Sequence, residues 1–124
     1  MTTSKKLADF TVHGNPVPKQ SFRYSKKGSY QSKRVMDWQE SVGWAGKMQA
    51  PDRPLRGPFN VVLTFYRRTK RRVDLDNLSK AVLDALNGIY WVDDTQVVSL
   101  FLRKEYDKKN PRVEVKIWHK TPKE

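Results

Sequence analysis

Between Phe59 and Leu86 the chain changes from one hydrophobic period to another, and this change constrains the fold more than any other feature of the sequence. Phe59, Val61, Leu63 and Phe65 alternate with Asn60, Val62, Thr64 and Tyr66. A period of two places the first four side chains on one face of a strand, and that face is strongly apolar. Leu75, Leu78, Val82, Ala85 and Leu86 then recur at spacings of three and four, the stripe of a helix from about Leu75 to Asn87. Gly88 is placed to stop that helix. Between the two elements lies Arg67-Arg68-Thr69-Lys70-Arg71-Arg72, with five cations in six residues.

The flanks extend the pattern. Phe10 to His13 reads as a short opening strand, closed by Gly14-Asn15-Pro16-Val17-Pro18, where two prolines force an extended path. Lys19 to Lys33 is a basic loop with Phe22, Tyr24 and Tyr30 among its cations. Ser32 is suited to cap a helix from about Lys33 to Met48, whose Val35, Trp38, Val42 and Ala45 form one buried stripe. Pro51, Pro54, Gly57 and Pro58 break the chain before the strand. Val97–Tyr106 and Arg112–Trp118 read as two further strands joined by Asp107-Lys108-Lys109-Asn110-Pro111, which predicts a hairpin. The order β-α-β-α-β-β predicts an α+β fold: a small mixed sheet of about four strands with two packed helices, in a single domain spanning residues 1–124.

Charge narrows the partners. Twenty-five Lys and Arg stand against thirteen Asp and Glu, a formal net charge of +12, which points to a nucleic acid. Ribosomal and membrane-surface proteins share such a balance, so charge alone does not choose among them. No apolar run is long enough to span a bilayer, and Met1 to Phe10 lacks the apolar core of a signal peptide, so the expected setting is the cytoplasm. With no cysteine in the chain, disulfides and thiolate metal sites are excluded.

Within this basic chain, five of the thirteen acidic residues fall between Asp74 and Asp94. Asp74 and Asp76 stand where the basic run meets the second helix. Hard cations such as magnesium take carboxylate oxygens, water and phosphate oxygens, and two aspartates one residue apart can face one ion. Lys80 lies one turn beyond Asp76 on the same helix face. Asp93 and Asp94 can add a third carboxylate if the chain returns; a helix of about 20 Å requires a strand-like return. Capping chemistry offers an alternative: Asp74 as N-cap, Asp76 favoured by the helix dipole, Asp76–Lys80–Asp84 as a surface ladder and Asp93-Asp94 as a plain turn.

The pattern Arg72-x-Asp74-Leu75-Asp76-Asn77-x-x-Lys80-Ala81-x-x-Asp84-Ala85-Leu86, followed by Tyr90-Trp91-x-Asp93-Asp94-x-Gln96-Val97, resembles the RusA family of Holliday-junction resolvases. The resemblance implies a small, basic, homodimeric endodeoxyribonuclease, frequent in phages and prophages, that nicks four-way junctions symmetrically in DNA recombination and repair. It implies magnesium as cofactor, with manganese as a possible substitute. Carried across position by position, the metal ligands would be Asp74, Asp76 and Asp94, and the catalytic lysine Lys80.

Two basic segments are the expected DNA contacts: Arg67, Arg68, Lys70, Arg71 and Arg72, and the earlier Lys19, Arg23, Lys26 and Lys27. Phe22, Tyr24 and Tyr30 are candidates for stacking on exposed bases or for anchoring their own loop. His13 and His119 read as structural or surface residues, Trp38, Trp44 and Trp118 as core or interface, and Trp91 as a brace for the turn carrying Asp94. Two other functions remain open: a non-catalytic DNA-binding protein whose aspartates serve as caps, and a metal nuclease acting on flaps or forks.

Overall fold

The computed structural model describes residues 4–19, 23–25, 28–30 and 32–120. In chain order it contains β1 (Ser4–His13), β2 (Arg23–Ser25), β3 (Gly28–Tyr30), α1 (Lys33–Lys47), β4 (Phe59–Arg67), α2 (Leu75–Leu86), a 3₁₀ turn (Asp94–Gln96), β5 (Val97–Tyr106) and β6 (Arg112–Lys120). The fold is α+β. Its main sheet has four strands in the order β1-β6-β4-β5, and β2 pairs with β3 in a separate small ribbon.

β4 lies inside the sheet because its alternation gives it a face to bury along its whole length. Phe59, Val61, Leu63 and Phe65 are fully or almost fully buried. The same face carries Val113, Val115 and Ile117 from β6 and Ala8, Phe10 and Val12 from β1. The helices cover it. α1 contributes Val35, Trp38, Val42 and Gly46, and α2 contributes Leu78, Ala81, Val82, Leu83 and Leu86. Both N-caps act as their residue types predict: Ser32 accepts from the Val35 amide at 3.3 Å, and Asp74 from the Asp76 amide at 3.0 Å. At Gly46 an added Cβ would lie 2.8 Å from a Leu86 methyl, so the glycine sets how closely the helices approach. Tyr90 donates to the Gly46 carbonyl at 2.7 Å, and burial pushes its phenol up to about 12.

Two expectations are corrected. β5 and β6 do not form a hairpin, because β4 lies between them. It runs parallel to β5, from Phe59 opposite Val97 to Arg67 opposite Tyr106, and antiparallel to β6. A parallel pair needs a crossover, and α2 supplies it. The turn 107–111 therefore steps over the end of β4, where the Asp107 amide donates to the Arg67 carbonyl at 2.8 Å. β1 is also longer than the apolar pattern indicates. Ser4, Lys5 and Lys6 pair with Lys120, His119 and Trp118, so the polar start is drawn into an edge strand by β6.

Candidate active site and nucleic-acid interface

The site is built at the two ends of α2. Asp74 is exposed and caps the helix, and exposed Asp76 follows in the first turn. Lys80 stands one turn on, its Nζ 3.6 Å from Asp76 Oδ2, with the side chains 59% and 71% exposed. At that exposure the pair contributes well under ~1 kcal/mol, so both groups stay available to a ligand. Lys104 of β5 donates to the Val73 carbonyl at 2.9 Å and brings a further cation next to Asp74. Only the parallel β4–β5 register sets it there, and no local motif marks it.

The third aspartate occupies different surroundings. After α2 the chain returns by a turn rather than a strand. Gly88, at φ +81°, donates its amide to the Trp91 carbonyl at 2.7 Å, and Trp91 Nε1 donates to Asn87 Oδ1 at 2.8 Å. Trp91 is fully buried, edge-on to Phe59, and braces the turn as expected. Gln96 clamps it from the other side, accepting from the Val92 amide at 2.9 Å and donating to the Leu55 carbonyl at 2.9 Å. Asp93 accepts from the Thr95 hydroxyl at 2.8 Å, a turn-holding role. Asp94 is half-buried in the 3₁₀ turn. Burial first, then the carboxylates of Asp93 and Asp84, raise its carboxyl above the usual range, while Lys19 opposes them.

Asp94 thus joins Asp84 in the last turn of α2, eight residues or about 12 Å along the helix from Asp76. Asp84 does not complete a ladder with Lys80, because it is held by Lys19 in a part-buried ion pair. Among the described residues, no three His, Asp or Glu side chains are gathered closely enough to hold a metal ion. The chemistry of the donors nonetheless fits a hard divalent cation: exposed carboxylates at the start of α2, and a half-buried one crowded by two others at its end.

The basic segments divide. Arg68, Lys70, Arg71 and Arg72 are exposed, and Lys70 Nζ sits 5.3 Å from the centre of the Tyr106 ring. Arg67 stands apart from this exposed ridge: it ends the buried face of β4, is only 8% exposed, and its Nη1 donates to the Pro16 carbonyl. Lys19 is a correction: it is not a free phosphate-facing cation, since its amide donates to the Asn77 carbonyl at 2.9 Å and its ammonium is given to Asp84. Buried Pro16 and Val17 pin this segment against the core, which fixes where Lys19 points. Lys26, Lys27 and Phe22 lie outside the described residues, as do the side chains of Arg23, Tyr24 and Tyr30. His119 packs 5.0 Å from Phe59 with Nε2 2.6 Å from the Arg56 carbonyl oxygen, a structural place. Trp38 is core, whereas Trp44 is exposed.

Fold and site together define a small basic α+β domain that sets carboxylates at the start of a helix beside a ridge of arginines. The family model Endodeoxyribonuclease RusA matches residues 13–118, and the chain belongs to that family. The match extends well beyond the motif at 72–97 and takes in both helices and most of the sheet. Among its relatives, the Crossover junction endodeoxyribonuclease RusA of Escherichia coli strain K12 is 30% identical over 108 residues, covering 86% of this chain and 90% of its own. The protein of the same name from Enterobacteria phage 82 shows the same identity and coverage. Bacillus subtilis strain 168 has a relative named Uncharacterized protein YqaN, 30% identical over 133 residues, covering 87% of this chain and 93% of its own. No described helix is long and apolar enough to cross a membrane.

Proposed function

We propose that the protein is a magnesium-dependent endodeoxyribonuclease that resolves four-way DNA junctions by paired symmetric nicks, acting in recombination and repair in the cytoplasm of a bacterium or a phage host. The observation that carries this reading is the family match over residues 13–118, which includes the carboxylates of α2 and the arginine ridge leading into them. Asp74 and Asp76, at the start of α2, are the proposed metal ligands; Asp94, the third ligand that the family resemblance implies, lies with Asp84 at the other end of the helix and would complete the set only by approaching them. Bound there, a divalent cation supplies a polarised water and charge stabilisation at the phosphate. Arg68, Lys70, Arg71 and Arg72 hold the backbone and deliver it to the start of α2. Lys80, exposed beside Asp76, neutralises charge developing on the attacked phosphate or on its leaving oxygen.

One chain carries one such set of carboxylates, and two symmetric nicks need two, so the active form is proposed to be a homodimer. Edge strand β5 supports this, because Val98, Leu100 and Phe101 present apolar surface to solvent. The capping bond at Asp74 favours a second reading, a binding protein that does not cut. A labelled four-way junction, a flap and a linear duplex, each incubated with magnesium and with EDTA, separate the possibilities. Paired nicks in the junction alone, abolished by EDTA, are expected. Binding without cleavage would select the second reading, and cleavage of flaps in preference would shift the substrate class.

A further inference from the structure

A cleft of about 360 Å³ opens between the first turn of α1, the segment 15–18 and the run 67–73. Its walls carry Ser32, Arg34, Arg67, Arg71 and Arg72, and none of the described residues lining it is acidic. Its size falls within the range of ligand-binding clefts. Arg67 occupies an unusual position for a cation. It is 8% exposed, and its Nε has no hydrogen-bond partner among the described residues. Neither Arg67 nor Arg34 forms a salt bridge among those residues. Burial first, and then the neighbouring Arg34 guanidinium, push the Arg67 guanidinium below its usual range. A buried cation facing a second cation with no carboxylate between them is stabilised when an anion joins them. α1 adds to this: it is fifteen residues long, its first turn holds no acidic residue, and its positive end lies at the cleft.

We infer that this cleft is a seat for a backbone phosphate of the DNA strand, held by Arg34, Arg67 and Arg71 at the first turn of α1. The inference rests on DNA being the substrate, and it assigns a role to α1 that neither the carboxylates nor the exposed ridge requires. Val73 lines the cleft and Asp74 follows it directly, so the phosphate seated here neighbours the one attacked at the start of α2. Arg67, buried and anchored on Pro16, forms the fixed floor, and Arg34 closes over the anion from the helix.

The full-length protein provides the test, in EDTA so that cleavage plays no part. Inorganic phosphate is titrated while the arginine Nε–H resonances are followed by ¹⁵N NMR. The Arg67 resonance is expected to shift saturably in the wild type and to stay in place in Arg34→Gln. Binding of a four-way junction is then measured against salt. Loss of one phosphate contact lowers the log–log slope by about 0.9, so Arg34→Gln should bind with a slope smaller by that amount. An Arg67 resonance indifferent to phosphate overturns the seat. So does an unchanged slope in a folded Arg34→Gln protein, which would leave a free-anion site that DNA does not use. If wild-type protein fails to cut junctions in magnesium while both measurements succeed, the nuclease reading fails and the phosphate seat stands.

Discussion

Asp74, Asp76 and Lys80 each have a structural use in the fold, so only a measurement that separates stability from turnover can assign their chemistry. Replacing Asp74, Asp76 or Asp94 singly by Asn is expected to abolish junction cleavage while leaving binding intact or stronger, because a negative charge near phosphate is removed. Full activity in all three variants would remove the carboxylates from the site. Lys80→Ala should change folding stability by no more than ~0.3–0.5 kcal/mol, the value of an exposed i, i+4 pair. The same change should slow single-turnover cleavage by at least ~100-fold, the scale of losing one positioned catalytic group. Lys80→Arg keeps the charge but substitutes a planar fork for a compact ammonium, so it should restore binding and not cleavage. Wild-type cutting by Lys80→Ala would return that residue to the surface.

At the scale of elements, the two turns that close the sheet carry much of the specification. The turn 107–111 is held by Asp107, whose carboxylate accepts from Arg112 Nη1 at 3.1 Å and from the Lys109 and Asn110 amides at 3.2 Å each. Arg112 in turn lies flat over Tyr66, its guanidinium carbon 3.7 Å from the ring centre. The hydrogen bond from Arg112 first, then that from the Asn110 amide, holds the Asp107 carboxyl below its ordinary value. A depressed folded-state value means that the unfolded chain takes up the proton first. The stabilisation is therefore complete above the unfolded carboxylate value of about 3.9 and is lost as pH falls through the lower folded one. Thermal melts across this acid range should show a smaller fall in stability for Asp107→Ala than for the wild type. Parallel curves for the two proteins would mean that the clamp contributes nothing. The preceding turn depends on packing instead: Trp91→Ala removes a fully buried side chain and should cost ~3–5 kcal/mol in denaturant unfolding, with Asp94 losing its support.

For the molecule as a whole, charge and exposed apolar surface make separate predictions. Changing Arg68, Lys70, Arg71 and Arg72 together to Ala should weaken DNA binding and flatten its salt dependence, each lost phosphate contact reducing the slope by about 0.9. Arg67 is left out of that set because it is part of the core edge and its loss would confuse folding with binding. An unchanged slope in the folded variant would show that the ridge does not touch DNA. On β5, Val98 and Phe101 are each 63% exposed, apolar side chains on a strand whose outer edge pairs with no other strand among the described residues. Light scattering should find a dimer for the wild type and a monomer for Val98→Lys/Phe101→Lys, with paired nicking reduced to single nicks. A variant that remains dimeric would place the two-fold contact elsewhere.

Local periodicity and capping were enough to determine both helices and the central strand, because those signals are written within a few residues of one another, whereas the candidate site was read from clustered carboxylates and the family resemblance. Ser32 and Asp74 cap where their side chains predict, and the alternation from Phe59 to Phe65 becomes the buried face of β4. Strand order was not legible in the same way. Val97–Tyr106 and Arg112–Lys120 are neighbours along the chain, yet the need of β4 to be flanked on both sides separates them in space. Partner choice for side chains depended equally on tertiary contacts. Arg67 and Arg68 are adjacent cations, but strand alternation buries the first against Pro16 and exposes the second. Lys19 reaches Asp84 across 65 residues, and Asp94 returns to the end of α2 rather than to its start. Sequence spacing fixes which groups can be near one another within a turn of helix or a step of strand; across longer separations only the packing of the core decides, and here it placed the third carboxylate and the buried arginine.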